Sequence, residues 1–197
     1  PRQNASEIFV APESMFSFPL NEYPHLVRLW ATVLQSEQHF LLGSVLKEQG
    51  RYFQAVFWLH MGLIKKIYVK KLLTPFVEKI PPSWKNYANL KGMFLHGFIE
   101  FDDSELASRA DFFDIITGDS TLRIVPRICL EFFFTTRQDI SAVSAGDRTT
   151  VVFHFVNDSW FNAPFKKILF NLSRLKAATL GVSVVWIGHD QLNTILF

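Results

Sequence analysis

The stretch at residues 50–73, GRYFQAVFWLHMGLIKKIYVKKLL, most constrains what this chain can fold into. It is free of proline, apolar and aromatic through its first half, and ends in lysine pairs. Phe53, Val56/Phe57, His60, Ile64 and Ile67 recur at spacings of three and four, which places them on one face of a helix. Thr74-Pro75 ends that helix, because the residue before a proline is driven out of the helical region. The preceding segment, residues 24–49, reads the same way through Leu26, Leu29/Trp30, Val33/Leu34, Phe40/Leu41 and Val45. Pro24 suits a first helical turn, and Gly50 suits the left-handed position past a helix end. Two helices meeting at Gly50 predict an antiparallel hairpin, with His60 an internal polar residue of its packing. Pro81-Pro82 then precedes a third predicted helix over residues 83–98.

Residues 1–22 read as an irregular arm that docks by Phe9, Phe16 and Phe18. Asp102 followed by Glu105 resembles a capping box, opening a helix that Gly118 closes. Beyond it the period changes. Residues 123–135 and 149–156 are rich in β-branched and aromatic side chains and predict strands, with Pro126 marking an edge or bulge. Asn162 caps a helix with Pro164 in its first turn, Gly181 closes it, and residues 182–187 form a short buried strand. Strand, helix and strand with short links predict a parallel, right-handed β-α-β unit. The expected fold class is α+β or α/β: an N-terminal antiparallel helical bundle, then a small sheet with a C-terminal β-α-β unit. The expected division is an arm at 1–22, the bundle at 23–118, and a small α/β layer at 119–197.

Composition narrows the function classes. Hydrophobic residues make up 49% of the chain, including 21 Phe, so global disorder is excluded. A net charge of +2 is too small to imply a nucleic-acid partner alone. The single cysteine, Cys129, forms no internal disulfide, fits a reducing cytoplasm, and reads as buried filler within RICLEFFF. The longest apolar runs, residues 53–64 and 177–188, fall short of the roughly 20 residues that span a bilayer, and residues 1–20 lack the pattern of a secretory signal. The expectation is a cytoplasmic protein with no membrane span, no metal and no cofactor. No phosphate loop, dinucleotide fingerprint, zinc-ligand spacing or nucleophile-elbow motif is present.

Two groups of residues remain as candidate sites. Lys65, Lys66, Lys70, Lys71, Lys79, Lys85 and Lys91 face only Glu78 between residues 64 and 96, whereas residues 100–119 are acidic. They read either as two solvated faces that attract each other or as a basic surface for an anionic partner. The second group lies at the carboxyl ends of the predicted strands, where α/β proteins bind ligands: Asn157, Asp158, His189 and Asp190, with Asp158 in reach of His154.

Residues 41–73, LLGSVLKEQGRYFQAVFWLHMGLIKKIYVKKLL, resemble the HEPN family of helical bundles, in which a glycine-basic-tyrosine turn precedes such a helix. HEPN ribonucleases place an arginine four to six residues before a histidine. The nearest match is Lys91 to His96, with Lys in place of Arg, and the resemblance implies that this pair handles a scissile phosphate and its proton. Residues 151–192, VVFHFVNDSWFNAPFKKILFNLSRLKAATLGVSVVWIGHDQL, are similar in layout to STAS-like regulatory domains, with Ala163 and Pro164 where those carry a phosphorylatable hydroxyl.

The absence of catalytic motifs and the two partner-binding resemblances favour a non-enzymatic regulatory or assembly protein acting through a protein partner or a homo-oligomer. Two alternatives stay open. One is an RNA-directed ribonuclease or RNA binder using the lysine face, with Lys91 and His96 as its catalytic pair. The other is a small-ligand sensor at Asp158, His189 and Asp190.

Overall fold

The computed structural model describes residues 7–75, 78–79, 101–102, 110–118, 120–144, 148–189 and 192–195, the last four as backbone. The N-terminal half is a sheet and not a helical bundle. Strands β1 (Glu7–Pro19), β2 (Gln38–Glu48), β3 (Arg51–His60) and β4 (Leu63–Val69) lie in that order, β1 parallel to β2 and the others antiparallel. A ten-residue helix, α1 (Pro24–Val33), is all that forms of the first predicted helix, and Pro24 does occupy its first turn.

The predicted helical hairpin fails for two physical reasons. Gly50 is left-handed as expected, at φ 75°, but Gln49 before it has φ 52°. Met61 and Gly62 repeat the pattern at 52° and 68°. Two successive positive-φ residues make a tight hairpin turn whose twist matches flanking strands, so both glycines join strands. Second, β3 is buried on both faces. Val56 and Trp58 pack toward the second sheet with Leu41 and Tyr68, whereas Ala55, Phe57 and Leu59 pack on the other side with Val27 and Trp30 of α1. Double burial removes the apolar-polar alternation that identifies a strand, and the remaining apolar run also satisfies helical spacing.

The second sheet holds β5 (Phe113–Thr117), β6 (Ser120–Ile128), β7 (Thr149–Phe155), β8 (Ser183–Ile187) and β9 (Leu192–Ile195) in sequence order. The predicted helix ending at Gly118 therefore ends instead in β5, and Gly118 (φ 61°) serves the turn into β6. The third predicted helix, residues 83–98, lies outside the described residues. After β6 the chain makes two short helices, α2 (Glu131–Phe134), where the sequence predicts a strand through residue 135, and α3 (Arg137–Val143), which the sequence does not predict. Pro126 is accommodated because β5 pairing ends at Ile124, leaving β6 locally an edge.

The C-terminal strand-helix-strand unit is present. Helix α4 (Ala163–Leu180) is capped by the Asn162 side chain, which accepts from the Phe165 N–H, and ends at left-handed Gly181. It links β7 to β8, which pair in parallel. Three apolar clusters order the layers. One lies between α1 and the first sheet, one between the two sheets, and one between the second sheet and α2–α4. The result is a four-layer α-β-β-α sandwich.

Candidate active site

Three chain segments, at a bulge in β1 and just past the ends of β4 and β6, bring charged and nucleophilic groups into one cavity between the sheets. Glu13 sits where the β1–β2 register slips between Ala11 and Phe16 and Ser14 takes φ 57°. Such a bulge re-aims a side chain out of the regular pleat. Gly43 on β2 makes room for it: a Cβ there would fall 2.6 Å from both the Glu13 Cα and the Pro12 carbonyl. Lys70 follows β4, with its N–H donating to the Gln54 carbonyl at 2.8 Å. Its ammonium lies 3.1 Å from Glu13 Oε1 and 2.8 Å from Glu78 Oε1, and none of the three side chains is more than 6% exposed. The other carboxylate oxygens are also occupied: Glu13 Oε2 accepts from the Asn157 N–H at 3.0 Å, and Glu78 Oε2 from the Thr74 N–H at 2.6 Å.

Cys129 follows β6 in a left-handed conformation, φ 51°, unusual for a residue with a side chain. Its N–H donates to the Phe155 carbonyl on β7 at 2.8 Å. Cys129, Glu13, Lys70 and Glu78 line a cavity of about 490 Å3 whose remaining wall includes Val45, Phe101, Leu130, Trp160 and Phe161. Glu131 fastens two of the loops together. Its Oε1 accepts from the N–H groups of Lys71 and Leu72, and its Oε2 from Ile128 N–H (2.9 Å) and Tyr68 O–H (3.0 Å). That buried carboxylate locks the segment carrying Lys70 to the segment carrying Cys129.

The charges define what these groups can do. Burial pushes the Cys129 thiol up to about 12, Glu13 adding to the shift and Lys70 opposing it, so at neutral pH the sulfur keeps its proton. Burial also raises the Glu13 carboxyl, against the pull of Lys70 and with the help of Glu78. Burial disfavours the Lys70 charge, but the two carboxylates outweigh it and hold Lys70 protonated above its ordinary value. The arrangement is a protonated thiol, a carboxylate whose basicity is enhanced, and a fixed cation beside it. A thiol in this state needs a base, and two carboxylates, Glu13 and Glu78, line the same cavity.

The residues singled out from sequence separate in space. Lys65 and Lys66 are exposed on β4, Lys66 lying 5.6 Å from the Phe112 ring centre, and Lys71 pairs with Asp111 at the surface. Of Lys65, Lys66, Lys70 and Lys71, Lys70 alone turns inward. Asp158 is buried and its Oδ1 accepts from the His189 N–H at 2.8 Å, while His189 Nε2 donates to the Glu13 carbonyl at 3.0 Å. Asp158 and His189 thus support the strand that carries Glu13. Lys91, His96 and Asp190 lie outside the described residues. The sequence reading passed over Glu13 and took Cys129 for filler. No sequence signal marks Cys129, because the strand pattern runs through it to residue 135, whereas β6 ends at Ile128 and Cys129 opens the turn into α2. Among the described residues, no group of three or more His, Cys, Asp or Glu side chains is placed to hold a metal ion, and no helix is long and apolar enough to cross a membrane.

Solved structures share this architecture. A CN-hydrolase superfamily protein from Xanthomonas campestris, with an arsenic adduct in its active site, superposes at a TM-score of 0.54 and 13% identity, covering 95% of this chain and 66% of that one. A nitrilase superfamily member from Saccharomyces cerevisiae gives 0.54 at 12%, covering 92% and 62%. The fold is that of the CN-hydrolases. Neither the HEPN bundle nor the STAS layout survives this finding. In sequence, the chain is 26% identical to an apolipoprotein N-acyltransferase of Allorhizobium ampelinum over 98% of its own length, and 25% identical to one of Sinorhizobium medicae over 96%. It spans 36% of the length of each. No family model matches the chain. Relatives named as acyltransferases, on a fold shared with hydrolases, overturn the expected non-enzymatic regulatory or assembly role. The expected protein, homo-oligomer and RNA partners lose their support with it.

Proposed function

We propose that this chain carries a thiol-dependent acyl-transfer site, with Cys129 as nucleophile, Glu13 as general base and Lys70 as the fixed positive charge. The observation that carries the reading is the convergence of Glu13, Lys70 and Cys129 on one cavity, from a bulge in β1 and from just past the ends of β4 and β6. Glu13 takes the thiol proton as sulfur attacks the acyl carbonyl of an ester; the S–C bond forms, the C–O bond breaks, and the leaving alcohol takes the proton from Glu13. Lys70 stabilises negative charge near the reacting centre, and Glu78 keeps its ammonium in place. An amine then attacks the thioester, forming a C–N bond and releasing the thiol, with Glu13 moving the proton back to sulfur. The apolar wall of Val45, Phe101, Leu130, Trp160 and Phe161 suits the hydrocarbon part of an acyl group. N-acylation as the second half-reaction rests on the names of the relatives.

The test is capture of the acyl-enzyme. Incubation with an activated fatty-acyl ester, followed by intact-mass and peptide mass spectrometry, is expected to place one acyl group on Cys129 and none on a Cys129→Ala protein. An unmodified Cys129, or acylation elsewhere that persists in Cys129→Ala, would overturn the reading.

A further inference from the structure

One buried histidine, His154, has no part in the chemistry above, yet it lies directly behind the nucleophile. It is 1% exposed on β7, facing α4 among the rings of Phe132, Phe133 and Trp186 at centre distances of 4.6, 5.7 and 5.0 Å. Its Nε2 lies 2.9 Å from the Cys129 carbonyl oxygen, and its Nδ1 lies 3.4 Å from the Ser173 Oγ on α4. A carbonyl can only accept, so Nε2 carries the proton and Nδ1 is left to accept from the Ser173 hydroxyl. The hydrogen bonds run in one direction, from Ser173 to His154 to the Cys129 backbone.

The carbonyl they reach belongs to the left-handed residue. A non-glycine residue at φ 51° persists only where its surroundings hold both adjoining peptide groups. Consecutive residues of β7 do this here: the Phe155 carbonyl accepts the Cys129 N–H, and the His154 ring donates to the Cys129 carbonyl. The Phe132 N–H adds a longer bond to the same carbonyl, at 3.4 Å. Burial lowers His154 to about 3, so the ring stays neutral across the working pH range and offers a constant donor.

We propose that His154 is a positioning residue for Cys129, its Ser173-oriented Nε2–H holding the Cys129 carbonyl so that the elbow presents the thiol to the cavity. The inference rests on Cys129 being the nucleophile. A misdirected nucleophile lowers the acylation rate without changing how the acyl donor is held, because the cavity wall is built from other residues.

The experiment measures kcat and KM for thiol acylation by an activated fatty-acyl ester in wild type, His154→Met, His154→Gln and Ser173→Ala, each checked for folding by its thermal melt. Met keeps the volume and removes the donor; Gln restores an N–H at nearly the reach of Nε2. His154→Met is expected to lose about 10- to 100-fold in kcat with KM within about twofold, and Gln to recover most of the loss. Ser173→Ala, which leaves the ring in place but unoriented, is expected to lose about three- to tenfold in kcat. Wild-type kcat in His154→Met, or equal losses in Met and Gln, would overturn the proposal; if His154→Met does not fold, an unchanged kcat in Ser173→Ala does so. A wild-type protein that never acylates Cys129 instead removes the nucleophile reading, and the role of His154 with it.

Discussion

Among the described residues, the charged groups around Arg123 and those around Lys70 are built differently. Around Arg123 on β6, the guanidinium makes two bonds of 2.7 Å to the carboxylate of Asp114 on β5, a further bond to the Val143 carbonyl, and stacks 3.8 Å from the Phe112 ring centre. Arg148 reaches the same carboxylate at 3.1 Å. Each nitrogen of the Arg123 guanidinium donates to an acceptor there. Around Lys70, one ammonium is shared by two carboxylates, and the group opens on a cavity that also presents a thiol. Buried charge by itself therefore does not mark a site; surplus negative charge beside a nucleophile and an open volume does.

The sharpest way to break that contrast is to neutralise the cation in each cluster. Lys70→Met is expected to lower Cys129 acylation about a thousandfold, as expected for removing a group that stabilises developing charge. Arg123→Leu removes the buried partner of the Asp114 carboxylate and leaves it only the exposed Arg148, and urea unfolding is expected to show a loss of about 2 kcal/mol. Per folded molecule, acylation should stay within about twofold of wild type, since Arg123 serves stability alone. A large catalytic loss in Arg123→Leu, with little in Lys70→Met, would reverse the assignment.

A smaller effect tests the coupling inside the Lys70 cluster. Glu13 works as a base only when ionised, so the rate falls as pH drops through its raised pKa. Glu78 contributes to that rise by repelling the ionised form. Glu78→Gln removes the repulsion, and the acid limb of the acylation pH profile is expected to move to lower pH. A limb that stays in place, or moves up, would show that Glu78 does not act on Glu13 in this way.

The smallest expected effect concerns a buried titratable group outside both clusters. His39, stacked 4.3 Å from His60 and accepting from the Trp58 indole N–H, is lowered to about 4, by burial first and by His60 second. Its folded pKa lies below its unfolded value, so between about 4 and 6.5 the unfolded chain binds more protons and stability rises with pH. Urea midpoints are expected to fall from pH 7 to 4.5 in wild type, and to fall less in His39→Gln. Equal slopes in the two proteins would rule out His39 as a source of that loss.

How much was legible in the chain follows from where the deciding interactions lie. Asn162, Pro164 and Gly181 act on backbone within a few residues of themselves, so α4 could be read directly. The hairpins at Gln49-Gly50 and Met61-Gly62 also depend on local turn chemistry, but Gly50 fits a helix end equally well and the helical spacing runs through Gly62. What separated the two readings was burial of β3 from both sides, a property of layers that the chain reveals only once assembled.

The site follows the same rule more strictly. Glu13 lies in β1, Lys70 and Cys129 just past β4 and β6, and the three share no spacing that a motif could capture. The amino-acid order alone settled that this chain buries a large aromatic core and ends in a capped β-α-β unit. Tertiary structure decided that Lys70 turns inward while its neighbours Lys66 and Lys71 stay out, and that a lone cysteine stands beside a base. The physical reason is that sheet pairing joins residues with no regard to their distance along the chain, and the shifts in basicity arise only once burial has removed water from them.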